Sequence, residues 1–552
     1  MRFAIGLMCA WGSVVAQGAS PPNIDGLFPA GGLRGTTVRV RVLGNFATWP
    51  QHFWTENPDI SISPNPDSKG EVEIQIAQHA RPGIAWLRSY DAFGASALRP
   101  FAIGTMREDA EVEPNDTPVG QPAIPHPHVL INGALSKKGD VDCFLVPLEA
   151  GETLVADLQA NSFLGSPIDA LLQVCSLHEH RGRLEAYVLE QNLDTVGLDP
   201  RIAFTAPEAG RYLVRVMAFP SDPGQEIAYT GFAAAVYRLT LTTKGFADYV
   251  LPLSRGLGSV TDVKLFGWNI PESQQRLAIP ATSEPQTALL SEFVPEIAGF
   301  VPMRTGVFKS IGVTSMQAVS LPVAISGRVK GSMQPDLYTI DVKKGETLKF
   351  KVSSRSLGFQ TALGIGVLDE KQQKSAGSDS RFAARDPELA WTAPADGKYT
   401  VQISQPRGVE NPRAVYELTI SKPQPDFAIS VATDRFTLQD DKPLEIPVTI
   451  DRQDGYAVEI EVRLEGLPEG VTAPPVVAKG TEKSVKLVLK TNGAVTEGHS
   501  VPVRVRGEAK TSPAVAKFGT FKAEIPLAEP QDALWLTVAK QGTVTATAKK
   551  KK

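Results

Sequence analysis

Five carboxylates, Glu108, Asp109, Glu111, Glu113 and Asp116, crowd nine residues of the chain. Gathering negative groups costs Coulomb energy unless a cation or solvent offsets it. Calcium suits such a segment: it is a hard ion that takes roughly six to eight oxygens from carboxylates, carbonyls and water. A solvated acidic linker is the alternative, with Asp140 and Asp142 merely shaping a β-turn downstream. Two His-x-His pairs, His126-Pro127-His128 and His178-Glu179-His180, invite a zinc or copper reading. On a strand, residues i and i+2 share a face and offer two nitrogens, but a zinc site needs further ligands and none stands at ligand spacing. Exposed loop histidines are the plainer reading.

The run Trp49-Pro50-Gln51-His52-Phe53-Trp54 holds three aromatics. Exposed rings stack on sugars or anchor a protein partner, whereas the commoner outcome is two rings in the local core and one at its edge. Of three cysteines, Cys9 falls in an apolar N-terminal run, leaving Cys143 and Cys175. Export permits a disulfide between them, which would stabilise by roughly 3–4 kcal/mol. Two buried thiols acting as small hydrophobes are the alternative, because pattern alone does not fix which way strand residues face. Catalytic residues are expected to be none. There is no Gly-x-Ser-x-Gly elbow, no His-Glu-x-x-His pair and no Gly-x-x-x-x-Gly-Lys loop. Seven histidines scattered among short strands give no focus for acid–base work.

The elements that must position these residues are strands. Period-two alternation dominates, as in Thr37-Val38-Arg39-Val40-Arg41-Val42, Glu71-Val72-Glu73-Ile74-Gln75-Ile76 and Val458-Glu459-Ile460-Glu461-Val462. Each run is short, half polar and bounded by turn residues, which antiparallel sandwiches with one wet face accommodate. Length exceeds what one sandwich core needs: 552 residues imply four or five domains. A net charge of −4 leaves no footprint for nucleic acid at the level of the whole chain.

One domain is written twice. Leu198-Asp199-Pro200, Phe204-Thr205-Ala206-Pro207 and Gly210-Arg211-Tyr212 reappear as Arg385-Asp386-Pro387, Trp391-Thr392-Ala393-Pro394 and Gly397-Lys398-Tyr399. Gly151-Glu152-Thr153-Leu154 matches Gly345-Glu346-Thr347-Leu348, and Ile131-Asn132-Gly133 matches Ile325-Ser326-Gly327. The first copy carries Glu113-Pro114-Asn115-Asp116, Gly139-Asp140-Val141-Asp142-Cys143-Phe144, Gly165-Ser166-Pro167-Ile168-Asp169 and Ala209-Gly210-Arg211-Tyr212. With these residues it resembles the bacterial pre-peptidase C-terminal domain, a jelly-roll-like sandwich appended to secreted proteases and collagenases. Cys143 departs from the aromatic or aliphatic residue of that pattern. The second copy lacks the Glu-Pro-Asn segment and keeps only Asp336 of the aspartate pair. The resemblance implies calcium as cofactor, bound in the first copy by Glu111, Glu113, Asn115, Asp116, Asp140 and Asp142. It also implies a substrate-targeting module beside an enzyme, yet no catalytic domain is recognisable here.

The segments before each copy resemble Ig-like domains of the TIG/IPT type, the first on Phe28-Pro29-Ala30-Gly31-Gly32 and Gly44-Asn45-Phe46, the second more weakly on Gly267-Trp268-Asn269-Ile270. Leu464-Glu465-Gly466-Leu467-Pro468-Glu469-Gly470-Val471 resembles a closing Ig-like domain. The expected fold is therefore all-β: tandem β-sandwich domains, Ig-like and jelly-roll-like, as beads on a string. Expected bounds are a signal peptide at 1–18, sandwiches at 19–105, 106–243, 244–319, 320–423 and 424–530, and a disordered tail over 531–552 ending in Lys549 to Lys552. The expected function is an exported, non-catalytic binding or scaffold protein of the periplasm, cell surface or extracellular fraction. Its expected partner is an extracellular polymer, glycan or matrix protein, or an envelope protein, with calcium stiffening the first domain junction. The alternative is an accessory subunit of a separate secreted peptidase or other hydrolase.

Overall fold

The computed structural model describes residues 20–539 except 126, 223–227, 284, 309, 313–316, 332, 381–384, 406–410, 412, 440–441, 493–497 and 512–514. The proposed leader, Cys9, His126 and Lys549 to Lys552 lie outside the described residues.

The fold is all-β, built of tandem sandwiches. Alternating residues dictate this: in Glu71–Ile76 the apolar Val72, Ile74 and Ile76 are buried while the polar residues between them face outward. Among the described residues, ten sheets pair into five such sandwiches, each with its own apolar cluster. In the second, the sheet of Glu108–Ala110, His128–Ala134, Val236–Thr242, Thr153–Gln159 and Arg201–Thr205 faces that of Asp142–Leu148, Gly210–Pro220, Ile168–His180 and Arg183–Asn192. The fourth repeats this order, from Ser310–Gly312 and Val323–Arg328 through Val415–Ser421, Thr347–Ser353 and Glu388–Thr392.

The repeated motifs turn out to be structural devices. Asp199 accepts the backbone N–H groups of Asn161 and Ser162, at 2.8 and 3.1 Å, and Asp386 accepts those of Ser354, Arg355 and Ser356. Each thereby satisfies the exposed donors of a short helical turn. Tyr212 and Tyr399 each donate their hydroxyl to the carbonyl four residues back, at Glu208 and Ala395. The first and third sandwiches are related too. Gly44 and Gly267 both sit at positive φ, where a Cβ would come within 2.0 Å of the carbonyl oxygens of Asn23 and Phe246.

The junction is duplicated with the domains. Ala30 N–H donates to Asn132 Oδ1 at 3.2 Å, and Leu253 N–H donates to Ser326 Oγ at 2.8 Å. The duplicated unit is therefore an Ig-like plus jelly-roll-like pair. The string also folds back on itself: Arg88, fully buried in the first sandwich, reaches Asp434 of the fifth at 3.1 Å and lies over the Trp54 and Trp535 rings.

One boundary needs correction. The tail was expected to start at 531, yet Leu534–Val538 is a buried strand paired with Arg435–Leu438 on one side and Ser500–Ala509 on the other. All five of its residues are apolar or hydrogen-bonded and covered from both faces, so it shows no alternation to read.

Burial draws the Arg88 pKa down to about 10 while Asp434 works against that. Removing one member of a buried pair leaves the other uncompensated. Arg88→Ala is expected to lower stability by about 3–5 kcal/mol. Denaturant unfolding followed by the fluorescence of Trp54 and Trp535 reads this directly.

Candidate metal centre

Three carboxylates converge where the second sandwich begins. Among the described residues, Glu113, Asp140 and Asp142 form a group whose ligand oxygens all lie within 4.8 Å of one another. Asp142 opens the strand Asp142–Leu148, and Asp140 sits in the turn before it. Both are fully buried, whereas Glu113 is exposed. Asp140 Oδ2 accepts the Ser136 and Lys137 N–H groups, at 2.6 and 3.3 Å, and so holds the turn closed. Its Oδ1 is buried with no hydrogen-bond donor, although Lys137 Nζ stands 3.5 Å away. A buried carboxylate oxygen without a donor is costly, and a cation would relieve it.

Asn115 is buried beside them, its N–H donating to Glu113 Oε2 at 2.9 Å. The inward end of its amide lies 3.0 Å from both Glu113 Oε2 and Asp142 Oδ1. With nitrogen inward, the amide donates to both; with oxygen inward, it adds a neutral ligand to the carboxylate set.

Glu111 and Asp116 are placed differently. Glu111 turns into the sandwich: its Oε1 accepts Ala134 N–H at 2.6 Å and its Oε2 faces Tyr237 Oη at 3.0 Å. Asp116 pairs with Lys137 at 2.8 Å. Glu108, at the head of the segment, pairs with Arg238 and accepts from Asn132 at 2.9 Å. The acidic run thus divides: Glu108 forms a buried ion pair, Glu111 hydrogen-bonds inward, Asp116 pairs with Lys137, and Glu113 joins Asp140 and Asp142.

Tyr237 was missed in the sequence. It rises from Val236–Thr242, and its hydroxyl reaches Asp142 Oδ2 at 2.6 Å as well as Glu111. Its ring lies over Gly133, where a Cβ would come within 2.2 Å of it, and this explains the repeated Ile-x-Gly. The signal existed: Val236-Tyr237-Arg238-Leu239-Thr240 recurs as Val415-Tyr416-Glu417-Leu418-Thr419. In the second copy Tyr416 donates to Asp336 at 2.8 Å, and Tyr338 takes the place of the second carboxylate at 2.6 Å.

One hydroxyl proton cannot serve two carboxylates, so one acid must bring its own. Desolvation, joined by repulsion from Glu111, pushes Asp142 up to about 9. Desolvation raises Glu111 to about 7. The Glu111–Asp142 pair therefore retains a proton at neutral pH when no cation is present.

The other candidates separate. His178 and His180 are exposed on a hairpin, with His178 Nε2 3.0 Å from Ser176 Oγ. His128 pairs with Thr242 at 2.9 Å. Trp49 and Phe53 pack against the core of their own sandwich, and Trp54 meets Trp535. Cys143 and Cys175 are free, buried thiols. The strand Gly210–Pro220 runs between theirs, and two strand spacings of about 4.8 Å exceed the reach of a disulfide. Among the described residues no helix is long and apolar enough to cross a membrane.

Two measurements follow. Both thiols should resist alkylation in the native chain and react fully in denaturant without reductant, since burial pushes Cys143 up to about 12. Glu111 and Asp142 bind protons more tightly folded than unfolded. Stability without calcium is therefore greatest below their unfolded pKa values and falls as pH rises through about 7 and then about 9. A pH series of melting curves in chelator should show that decline, and Asp142→Asn should flatten its upper part.

No family model matches the chain, and no curated protein matches it. The solved structures that resemble it include the pre-peptidase C-terminal domain of a Bacillus anthracis collagenase, 18% identical over 20% of this chain and 99% of that one, with a TM-score of 0.17. Another is the Aeromonas hydrophila periplasmic inhibitor of g-type lysozyme, 20% identical over 20% and 96%, with a TM-score of 0.16. A third is the Bacteroides ovatus SGBP-B from a mixed-linkage glucan utilisation locus, in complex with a heptasaccharide, 10% identical over 71% and 73%, with a TM-score of 0.13. These similarities assign this chain to no family.

Proposed function

We propose that this chain is an exported, non-catalytic binding and scaffold protein whose first domain pair is stiffened by calcium. The observation that carries the calcium reading is the convergence of Glu113 with the buried Asp140 and Asp142, where Asp140 Oδ1 has no hydrogen-bond donor. Glu113, Asp140 and Asp142 would hold the ion, with Asn115 as neutral ligand and Glu111 and Asp116 flanking. The ion would supply positive charge where the Glu111–Asp142 pair otherwise keeps a proton, and it performs no bond-breaking step.

Stiffening follows from connectivity. The segment from Glu108 to Asp116 leads out of the first sandwich and is fixed to the second through Asn132, Arg238 and Ala134. Ala134 in turn packs with Ala30 of the first sandwich. Pinning Glu113 to Asp140 and Asp142 would fix the far end of that segment as well.

Calcium should raise the melting temperature of the full chain, with about 2.7 kcal/mol expected at a concentration 100-fold over Kd. EGTA should reverse the rise. Asp140→Asn and Asp142→Asn should abolish it, while Asp336→Asn in the second copy should not. An unchanged melting curve at millimolar calcium would sink the metal assignment. Retention on an array of glycans and matrix proteins, with and without chelator, tests the binding role separately.

A further inference from the structure

The five sandwiches meet around a cavity of about 560 Å³ to which every one of them contributes. The first supplies Trp86, the second Phe163, the third Tyr249 and Phe300, the fourth Phe359, and the fifth Gln531. This size falls within the ~300–1,000 Å³ typical of small-ligand sites, which favour domain interfaces. Groups outside the metal centre build its walls. Arg201 joins Asp157 at 2.6 Å and also Asp248, while Arg413 binds the same Asp248 at 3.0 Å. At the rim Arg304 pairs with Glu529 at 3.2 Å, and Thr287 donates to that carboxylate at 2.9 Å.

We propose that this cavity is the ligand site, and that it takes a neutral oligosaccharide a few residues long. Charge argues for neutrality. Acidic and basic side chains line the cavity in equal number; Arg201 and Arg413 are committed to Asp157 and Asp248, and the buried Glu417 accepts from Ser254, so the lining carries no net charge to recruit an ionic ligand. The remaining surface holds flat rings together with planar and hydroxyl groups. Phe163 and Phe300 lie 4.6 Å apart and half-buried, so they keep ring surface free, whereas Tyr249 and Phe359, edge-on at 5.9 Å, are themselves buried. Gln159, Gln286, Thr287 and Ser356 stand among them. A pyranose has both needs, with C–H faces that cover rings and hydroxyl edges that need donors and acceptors.

This inference rests on the binding-protein reading and gives it a place and a ligand class. Calorimetric titration of the full chain with cellotetraose, laminaritetraose, xylotetraose and chitotetraose tests it. At least one tetraose should bind one-to-one, and Phe300→Ala should weaken it about tenfold or more. Thr287→Trp, at an exposed rim position, should block it without lowering the melting temperature, while Tyr187→Ala on an exposed hairpin outside the cavity lining should leave it unchanged. Binding that ignores both cavity substitutions would overturn the site yet leave a binding protein. No binding of any tetraose would overturn the ligand class, and array retention of the chain would then show whether the binding reading itself survives.

Discussion

Asp248 is the residue on which the arrangement turns. It belongs to the third sandwich, and its carboxylate is shared by Arg201 from the second and Arg413 from the fourth, all largely buried. Taking three charges out of water is tolerable only if each is paired with good geometry. Such a network fixes relative position more firmly than an apolar contact of the same area, because sliding would strand a charge. Arg413 also donates to the Thr195 carbonyl of the second sandwich, so the two jelly-roll-like copies touch across the third domain. Together with Arg88 and Asp434 at the other end, this closes the chain into a ring and creates the central cavity.

The two jelly-roll-like copies form a natural control. Both keep the Asp capping a helical turn, the Tyr corner, the cross-strand threonines Thr153–Thr205 and Thr347–Thr392, and the buried Tyr–Asp contact between sheets. These devices hold the sandwich. Only the first copy adds Glu111, Glu113 and Asp140, so those carboxylates are not needed for the fold. In the second, Tyr338 satisfies Tyr416 with an uncharged hydroxyl, and the electrostatic problem disappears. A costly cluster kept in one copy and absent from its twin marks a local role.

Much of this was legible in the residues because it is local. Alternation gave the strands, turn residues gave their ends, and identical spacing gave the duplicated domain. The convergence of Glu113 with Asp140 and Asp142 came from a resemblance, and the carboxylates do meet. Their division of labour was not legible: of the expected ligands, Glu111 turns to Tyr237 and Asp116 to Lys137, while Glu108, from the same acidic run, pairs with Arg238. Tyr237 escaped notice because a tyrosine in an apolar strand reads as core until its hydroxyl partner is known.

The sequence by itself determined the all-β class and the repeat, which are written in periodicity and spacing over a few residues, whereas the candidate carboxylates were named by resemblance. Tertiary structure alone decided that Cys143 and Cys175 stand two strands apart, that Leu534–Val538 is an interior strand, and that five sandwiches enclose one cavity. The reason is range. Period-two burial is fixed by neighbouring residues, whereas strand order, charge pairing such as Arg88 with Asp434, and the space left between domains depend on groups hundreds of residues apart.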